Sequence, residues 1–137
     1  MLVTEPNRNQ DVLIVDDEDV LREFYTRVFA NFGYNTICAG DGSEAITMLE
    51  EDPERYTLVI LDMNMPIKNG WEVLDHMRNH EKLTDKPVIA ITGLSMDEDE
   101  LKRLSELCDG VIPKGDFEMT RLGKVVSRVL GTDLTVD

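Results

Sequence analysis

Five residues carry the chemistry this sequence offers: Asp16, Asp17, Asp62, Thr92 and Lys114. Three carboxylates brought together repel one another and raise one another's pKa unless something neutralises them. A divalent cation does so, and a ligand set made only of oxygen favours Mg²⁺, Mn²⁺ or Ca²⁺ over zinc. Lys114 offers a mobile point charge for a phosphate oxygen, and Thr92 offers a hydroxyl donor. Metal, ammonium and hydroxyl around one carboxylate would stabilise a phosphoryl group in transfer. Asp62 would then be the nucleophile, giving an acyl phosphate.

Whether these residues meet depends on the elements that carry them. Val12–Val15 is a short, β-branched apolar run that ends in Asp16-Asp17, as a strand buried on both faces would. Leu58–Leu61 is a second such run and finishes at Asp62, while Val88–Ile91, opened by Pro87, finishes at Thr92 and Gly93. Two shorter strands are expected over 34–39 and 110–112, the latter leading into Pro113-Lys114. Helices are expected between them. The first runs over 18–32 with Leu21, Phe24, Val28 and Phe32 on one stripe and Gly33 as its stop. The second runs over 43–50 with Ala45, Ile46 and Leu49 inward, and the third over 71–79 after the Asn69-Gly70 turn. The fourth is capped by Ser95 and runs to Leu107, and the fifth spans 116–130. Five strands alternating with five helices predict one α/β domain, a parallel sheet with helices on both faces. The flavodoxin-like order 2-1-3-4-5 is the natural one for five βα units. Sites in such sheets form beyond the carboxyl ends of the strands, where all five residues fall. Each residue alone has a plain reading: acidic pairs after a strand commonly cap helices, and a strand-end threonine is ordinary. Their joint placement carries the argument.

The chain has 137 residues and a formal net charge of −14. That length suits one domain. Residues 1–10 and 131–137 read as polar tails around a domain spanning 11–130. The negative charge disfavours nucleic acid and anionic membrane surfaces as partners. No stretch reaches the ~18 apolar residues of a membrane span, and the polar first ten residues are no signal peptide. Cys38 and Cys108 form no CxxC pair and read as reduced, mostly buried thiols. A cytoplasmic protein is expected.

Val-Asp-Asp-Glu at 15–18, Leu-Asp-Met-Asn-Met-Pro at 61–66, Ile-Thr-Gly at 91–93 and Pro-Lys at 113–114 resemble the receiver domains of bacterial response regulators. The intervals between these segments match as well, and the resemblance covers nearly the whole chain. It implies the single flavodoxin-like (βα)5 fold and a role for each residue. Asp62 looks like the phosphoacceptor, Asp17 a direct Mg²⁺ ligand, and Asp16 a ligand through water or a partner of the metal shell. The backbone carbonyl of Asn64 would complete the shell, and Mn²⁺ could replace Mg²⁺. Thr92 would move toward the phosphoryl group and Lys114 pair with it. The donor would be a phosphohistidine on a histidine kinase or phosphotransfer protein. A shift of Thr92 would bias a partner-binding face made by the fourth helix, fifth strand and fifth helix. Such a domain is a phosphoacceptor that assists its own phosphorylation and dephosphorylation rather than an enzyme acting on others.

Two positions depart from the family pattern. Val111 stands three residues before the lysine, where an aromatic is usual, and has no ring to rotate inward. Gly115 follows the lysine where proline is usual. These departures keep open a phosphorylation-independent interaction module of the same fold. A haloacid-dehalogenase-like phosphatase would need a second Asp at position 64, which is Asn64. A flavodoxin-like electron carrier would need a Ser/Thr/Gly-rich loop where Asp16–Asp19 stands. His76 and His80, four apart on a predicted helix, lack a third ligand for zinc. Met63 and Met65 read as loop packing and Trp71 as a helix anchor.

Overall fold

The computed structural model describes residues 11–65, 69–93, 96–114 and 119–131. Within these, strands and helices alternate: β1 (Asp11–Val15), α1 (Asp19–Asn31), β2 (Thr36–Ala39), α2 (Gly42–Glu51), β3 (Tyr56–Asp62), α3 (Gly70–Arg78), β4 (Val88–Thr92), α4 (Glu98–Leu107), β5 (Gly110–Pro113) and α5 (Met119–Leu130). The strands form one parallel sheet in the order β2-β1-β3-β4-β5, the expected flavodoxin-like order.

The continuous apolar runs follow from burial on both faces. Alternate side chains of a strand point to opposite sides. Leu13, Val15, Val59, Leu61, Val88 and Ala90 pack with Ala45 and Leu49 of α2, Val73, Leu74 and Met77 of α3, and Leu104 of α4. Val12, Ile14, Leu58, Ile60, Ile89 and Ile91 pack with Tyr25, Val28 and Phe29 of α1 and with Leu122 and Val126 of α5. A polar residue inside either run would face one of these dry layers, so polar groups collect at the strand ends.

Element boundaries differ from the sequence reading where capping decides them. Asp41, not the Gly40–Gly42 turn alone, sets the start of α2: its carboxylate accepts from the Glu44 amide at 2.8 Å. Asn69 and Glu72 form a reciprocal capping box at α3, so that helix starts at Gly70. Asp97 and Glu100 form another at α4; Asp97 therefore caps that helix in place of Ser95, which lies outside the described residues, as do Asp116 at the expected start of α5 and the tails beyond 11 and 131. The buried face of α1 is centred on Tyr25, Val28 and Phe29, with Leu21, Phe24 and Phe32 half-buried beside it. Tyr34 does not join β2, because its amide closes the end of α1 on the Phe29 carbonyl at 2.9 Å. Gly33 makes this turn at φ 87°, a conformation suited to glycine.

Helix α3 ends at Arg78, so His80 lies beyond it and the two histidines do not share a helical face throughout. The Arg78 guanidinium ties the connection that follows, donating to the carbonyls of Thr84 (2.9 Å), Lys86 (3.0 Å) and Leu107 (2.9 Å). Cys38 and Cys108 are free and half-buried rather than mostly buried, and burial pushes the Cys108 thiol up to about 12. Among the described residues no helix is long and apolar enough to cross a membrane.

The start of α3 is pressed against the chain leaving β3. A Cβ on Gly70 would stand 2.6 Å from the Met63 Cα and 2.8 Å from the Asp62 carbonyl oxygen. Overpacking of this kind costs about 1–3 kcal/mol, against at most about 1 kcal/mol gained from helix propensity. Gly70→Ala is therefore expected to lower the urea midpoint with an unchanged m-value; a midpoint at or above wild type would show that the β3–α3 junction yields.

Candidate functional site

The parallel sheet brings four chain segments to one rim. β1 delivers Asp16 and Asp17, β3 ends on Asp62, β4 ends on Thr92, and β5 leads into Lys114. β3 lies between β1 and β4, so Asp62 is central. Carboxylate oxygens of Asp16, Asp17 and Asp62 all lie within 4.8 Å of one another. Asp16, Asp62 and Thr92 are buried, and Asp17 is exposed. Register places Thr92 opposite Pro113, next to Lys114 in the chain.

Local hydrogen bonds fix the two buried carboxylates. Asp16 Oδ1 accepts from the Glu18 amide at 2.9 Å. Asp62 Oδ1 accepts from the Asn64 amide at 3.0 Å, and its Oδ2 faces Lys114 Nζ at 3.2 Å. Each carboxylate thus bonds the amide two residues on, the turn that Asp favours after a strand. Among the described residues, the buried Asp16 Oδ2 has no hydrogen-bond partner.

Burial raises the Asp16 carboxyl to about 6, above its ordinary 3.8, with Asp62 and Asp17 adding repulsion and the Glu18 amide and Lys114 opposing. Asp62 is likewise raised by burial, against which the Asn64 amide and Lys114 pull it down. Burial alone would push the Lys114 ammonium down, yet Asp62 at its side leaves it net raised. A cluster of two buried carboxylates and one exposed one, with one ammonium and a buried Asp16 oxygen lacking a partner among the described residues, is short of positive charge. Its oxygen-only donor set fits a hard divalent cation.

All five residues picked from the sequence therefore meet at one rim. Of the two departures, Val111 lies half-buried on β5 beside Ala90, and Gly115 lies outside the described residues. Three contributors were not among the candidate residues picked from the sequence. Arg22 donates from Nη1 to the Asp16 carbonyl at 2.7 Å. Gly70 lets two backbone segments close beside the site, and Gly93 leaves room for a side chain: a Cβ on Gly93 would meet the Asn64 side-chain amide at 2.4 Å. Only the position of Gly93 directly after Thr92 hinted at this. Met63 and Met65 are buried in the layer with α2 and α3, as expected. Trp71 is a partly buried anchor under the Arg103 guanidinium, 5.0 Å from its ring centre. His76 and His80 stay apart from the rim; His76 instead meets Glu50 of α2 at 2.9 Å.

The fold recurs in known proteins. The chain is similar to the Regulator of RpoS of Escherichia coli K12, with 33% identity over 125 residues, 90% of this chain and 36% of that protein. It thus spans about a third of that relative's length. Among solved structures, the chemotaxis protein CheY4 of Vibrio cholerae superposes with a TM-score of 0.78 at 25% identity, covering 89% of this chain and 99% of that one. The receiver domain of the sensor histidine kinase PA1611 of Pseudomonas aeruginosa PAO1 has a TM-score of 0.78 over 90% of this chain and 99% of its own. At 23% identity that likeness is one of fold; that domain holds a magnesium ion in its active site cleft. The sequence itself matches the response regulator receiver domain family over residues 12–127. With that match covering most of the sheet and its helices, the chain belongs to the receiver domains of two-component response regulators.

Proposed function

We propose that this domain accepts a phosphoryl group on Asp62 from a phosphohistidine of a sensor kinase or phosphotransfer protein. Asp16, Asp17, Asp62 and the Asn64 backbone carbonyl would hold Mg²⁺, or Mn²⁺ in its place. The observation that supports this best is the Asp62–Lys114 contact inside the carboxylate cluster, which puts a nucleophile and a phosphate-binding cation side by side. Bound Mg²⁺ would supply charge neutralisation for the carboxylates and for the phosphoryl oxygens.

The chain's own residues supply the rest. A carboxylate oxygen of Asp62 would form the new O–P bond as the P–N bond to the imidazole breaks and its electron pair leaves with nitrogen. Lys114 would pass from the Asp62 oxygen to a phosphoryl oxygen, and the Thr92 hydroxyl would donate to another. Hydrolysis of the acyl phosphate would restore Asp62, so the domain assists both directions of its own switching. The unit doing this is the span 11–130, acting in the cytoplasm. Phosphorylation adds about −1.5 to −2 charge. With Val111 in place of a ring, the output would run mainly from Thr92 into α4, and so to the face of α4, β5 and α5. Val111, together with Gly115 after the lysine, also favours an interaction module that works without phosphorylation; the complete carboxylate, hydroxyl and ammonium set weighs more.

Incubation with acetyl phosphate and Mg²⁺ is expected to add one phosphoryl group by intact mass, lost in EDTA and in Asp62→Asn. Addition that persists in Asp62→Asn would contradict the assignment. A second expectation concerns pH. Asp16 holds its proton more tightly folded (about 6) than unfolded (3.8). Its contribution to stability is therefore complete below the unfolded value and lost as pH rises through about 6. In EDTA, the stability gain of Asp16→Asn over wild type should grow across that window to about 1–3 kcal/mol at neutral pH. A gain independent of pH would show that the Asp16 carboxylate is not under strain. Mg²⁺ at about a hundred times its Kd should stabilise wild type by about 2.7 kcal/mol, and Asp16→Asn by less.

A further inference from the structure

We infer that Arg22 of α1 is a positioning residue for the metal-ligand pair Asp16–Asp17. The inference rests on the reading of the strand-end cluster as a Mg²⁺ site. β1 ends at Val15 and α1 begins at Asp19, so the ligand pair sits in a connection without regular structure. Two of the polar groups of Asp16 are fixed by backbone partners: its amide donates to the Ala39 carbonyl at 3.2 Å, and its Oδ1 accepts from the Glu18 amide. Its carbonyl is fixed by a side chain, Arg22 Nη1 at 2.7 Å, a short charge-assisted bond.

That carbonyl belongs to the peptide unit joining Asp16 to Asp17. The unit is planar, so holding its oxygen sets the plane from which Asp17 departs. Asp17 is exposed. Arg22 is itself well held. Its Nη2 pairs with Asp19, and 23% of its side chain is exposed. Its Nη1 lies 3.6 Å from where a Cβ on Gly40 would stand, so the guanidinium bridges the exits of β1 and β2. The planar fork suits this double engagement, and a lysine ammonium does not reproduce it.

Charge alone predicts the opposite of positioning. Removing a cation beside a Mg²⁺ site should tighten Mg²⁺ binding. Removing an outer support of metal ligands typically weakens affinity tenfold to a hundredfold. Calorimetric titration of the full chain with Mg²⁺ separates the two, using wild type, Arg22→Gln, Arg22→Lys and, as a control, Arg27→Gln, which breaks only the exposed Arg27–Glu23 pair of the same helix. Arg22→Gln is expected to weaken Mg²⁺ binding about tenfold or more, Arg22→Lys to fall between it and wild type, and Arg27→Gln to bind like wild type. Saturating Mg²⁺ should then restore phosphoryl uptake from acetyl phosphate in Arg22→Gln. Mg²⁺ binding in Arg22→Gln as tight as wild type or tighter overturns the inference, as does an uptake defect that saturating Mg²⁺ leaves in place. Should Arg22→Gln not fold, Arg22→Lys decides alone: weaker binding at unchanged charge supports positioning, and wild-type binding overturns it. Wild type that binds no Mg²⁺ would instead sink the metal-site reading beneath it.

Discussion

Like charge held together at the end of a dry sheet is the constraint on which this structure turns. Asp16 and Asp62 are buried beside the exposed Asp17, with their oxygens inside one 4.8 Å cluster. Burial and mutual repulsion both oppose ionisation there. Two backbone amides and Lys114 offset part of that cost, yet one oxygen of Asp16 is left without a partner among the described residues. Such a site is poorly satisfied by protein groups alone. It is the kind of local deficit that a cation, and then a phosphoryl group, would make good. The same deficit concentrates perturbed carboxylates where chemistry needs them.

The rest of the fold is arranged to hold that deficit in place. Two apolar layers clamp β1, β3 and β4 from either side, leaving the strand ends as the outlet for polar groups. Capping boxes at α3 and α4 fix the helices that follow the two central strands. A close backbone approach at Gly70 presses the start of α3 against Asp62, and the Asn64 side chain lies close over Gly93. At the other end of the sheet Arg78 ties the C-terminus of α4 to the connection before β4. α4 is therefore anchored at its far end, while its near end follows the segment after Thr92.

Much of this could be read from the sequence, because β1, β3 and β4 are runs of apolar residues that stop abruptly at a polar candidate residue. The sheet order, the five rim residues and the layers followed from that pattern and from the family resemblance. Helix starts were less legible. Ser95 was the cap expected for α4, whereas Asp97 forms the reciprocal capping pair with Glu100. Tyr34 read as strand because its type favours strands, whereas its amide is spent on closing α1. The stripe Leu21, Phe24, Val28 and Phe32 left out Tyr25 and Phe29, which α1 buries fully. Arg22 was invisible, since its bond is to a backbone carbonyl and no residue pattern marks a backbone acceptor.

The most direct test of the account is to locate the acyl phosphate. After labelling with acetyl phosphate and Mg²⁺, borohydride reduction converts a phosphorylated aspartate to homoserine, which peptide mass spectrometry can place. The account predicts homoserine at position 62 alone. Homoserine at 16 or 17, with Asp62 unchanged, would contradict it.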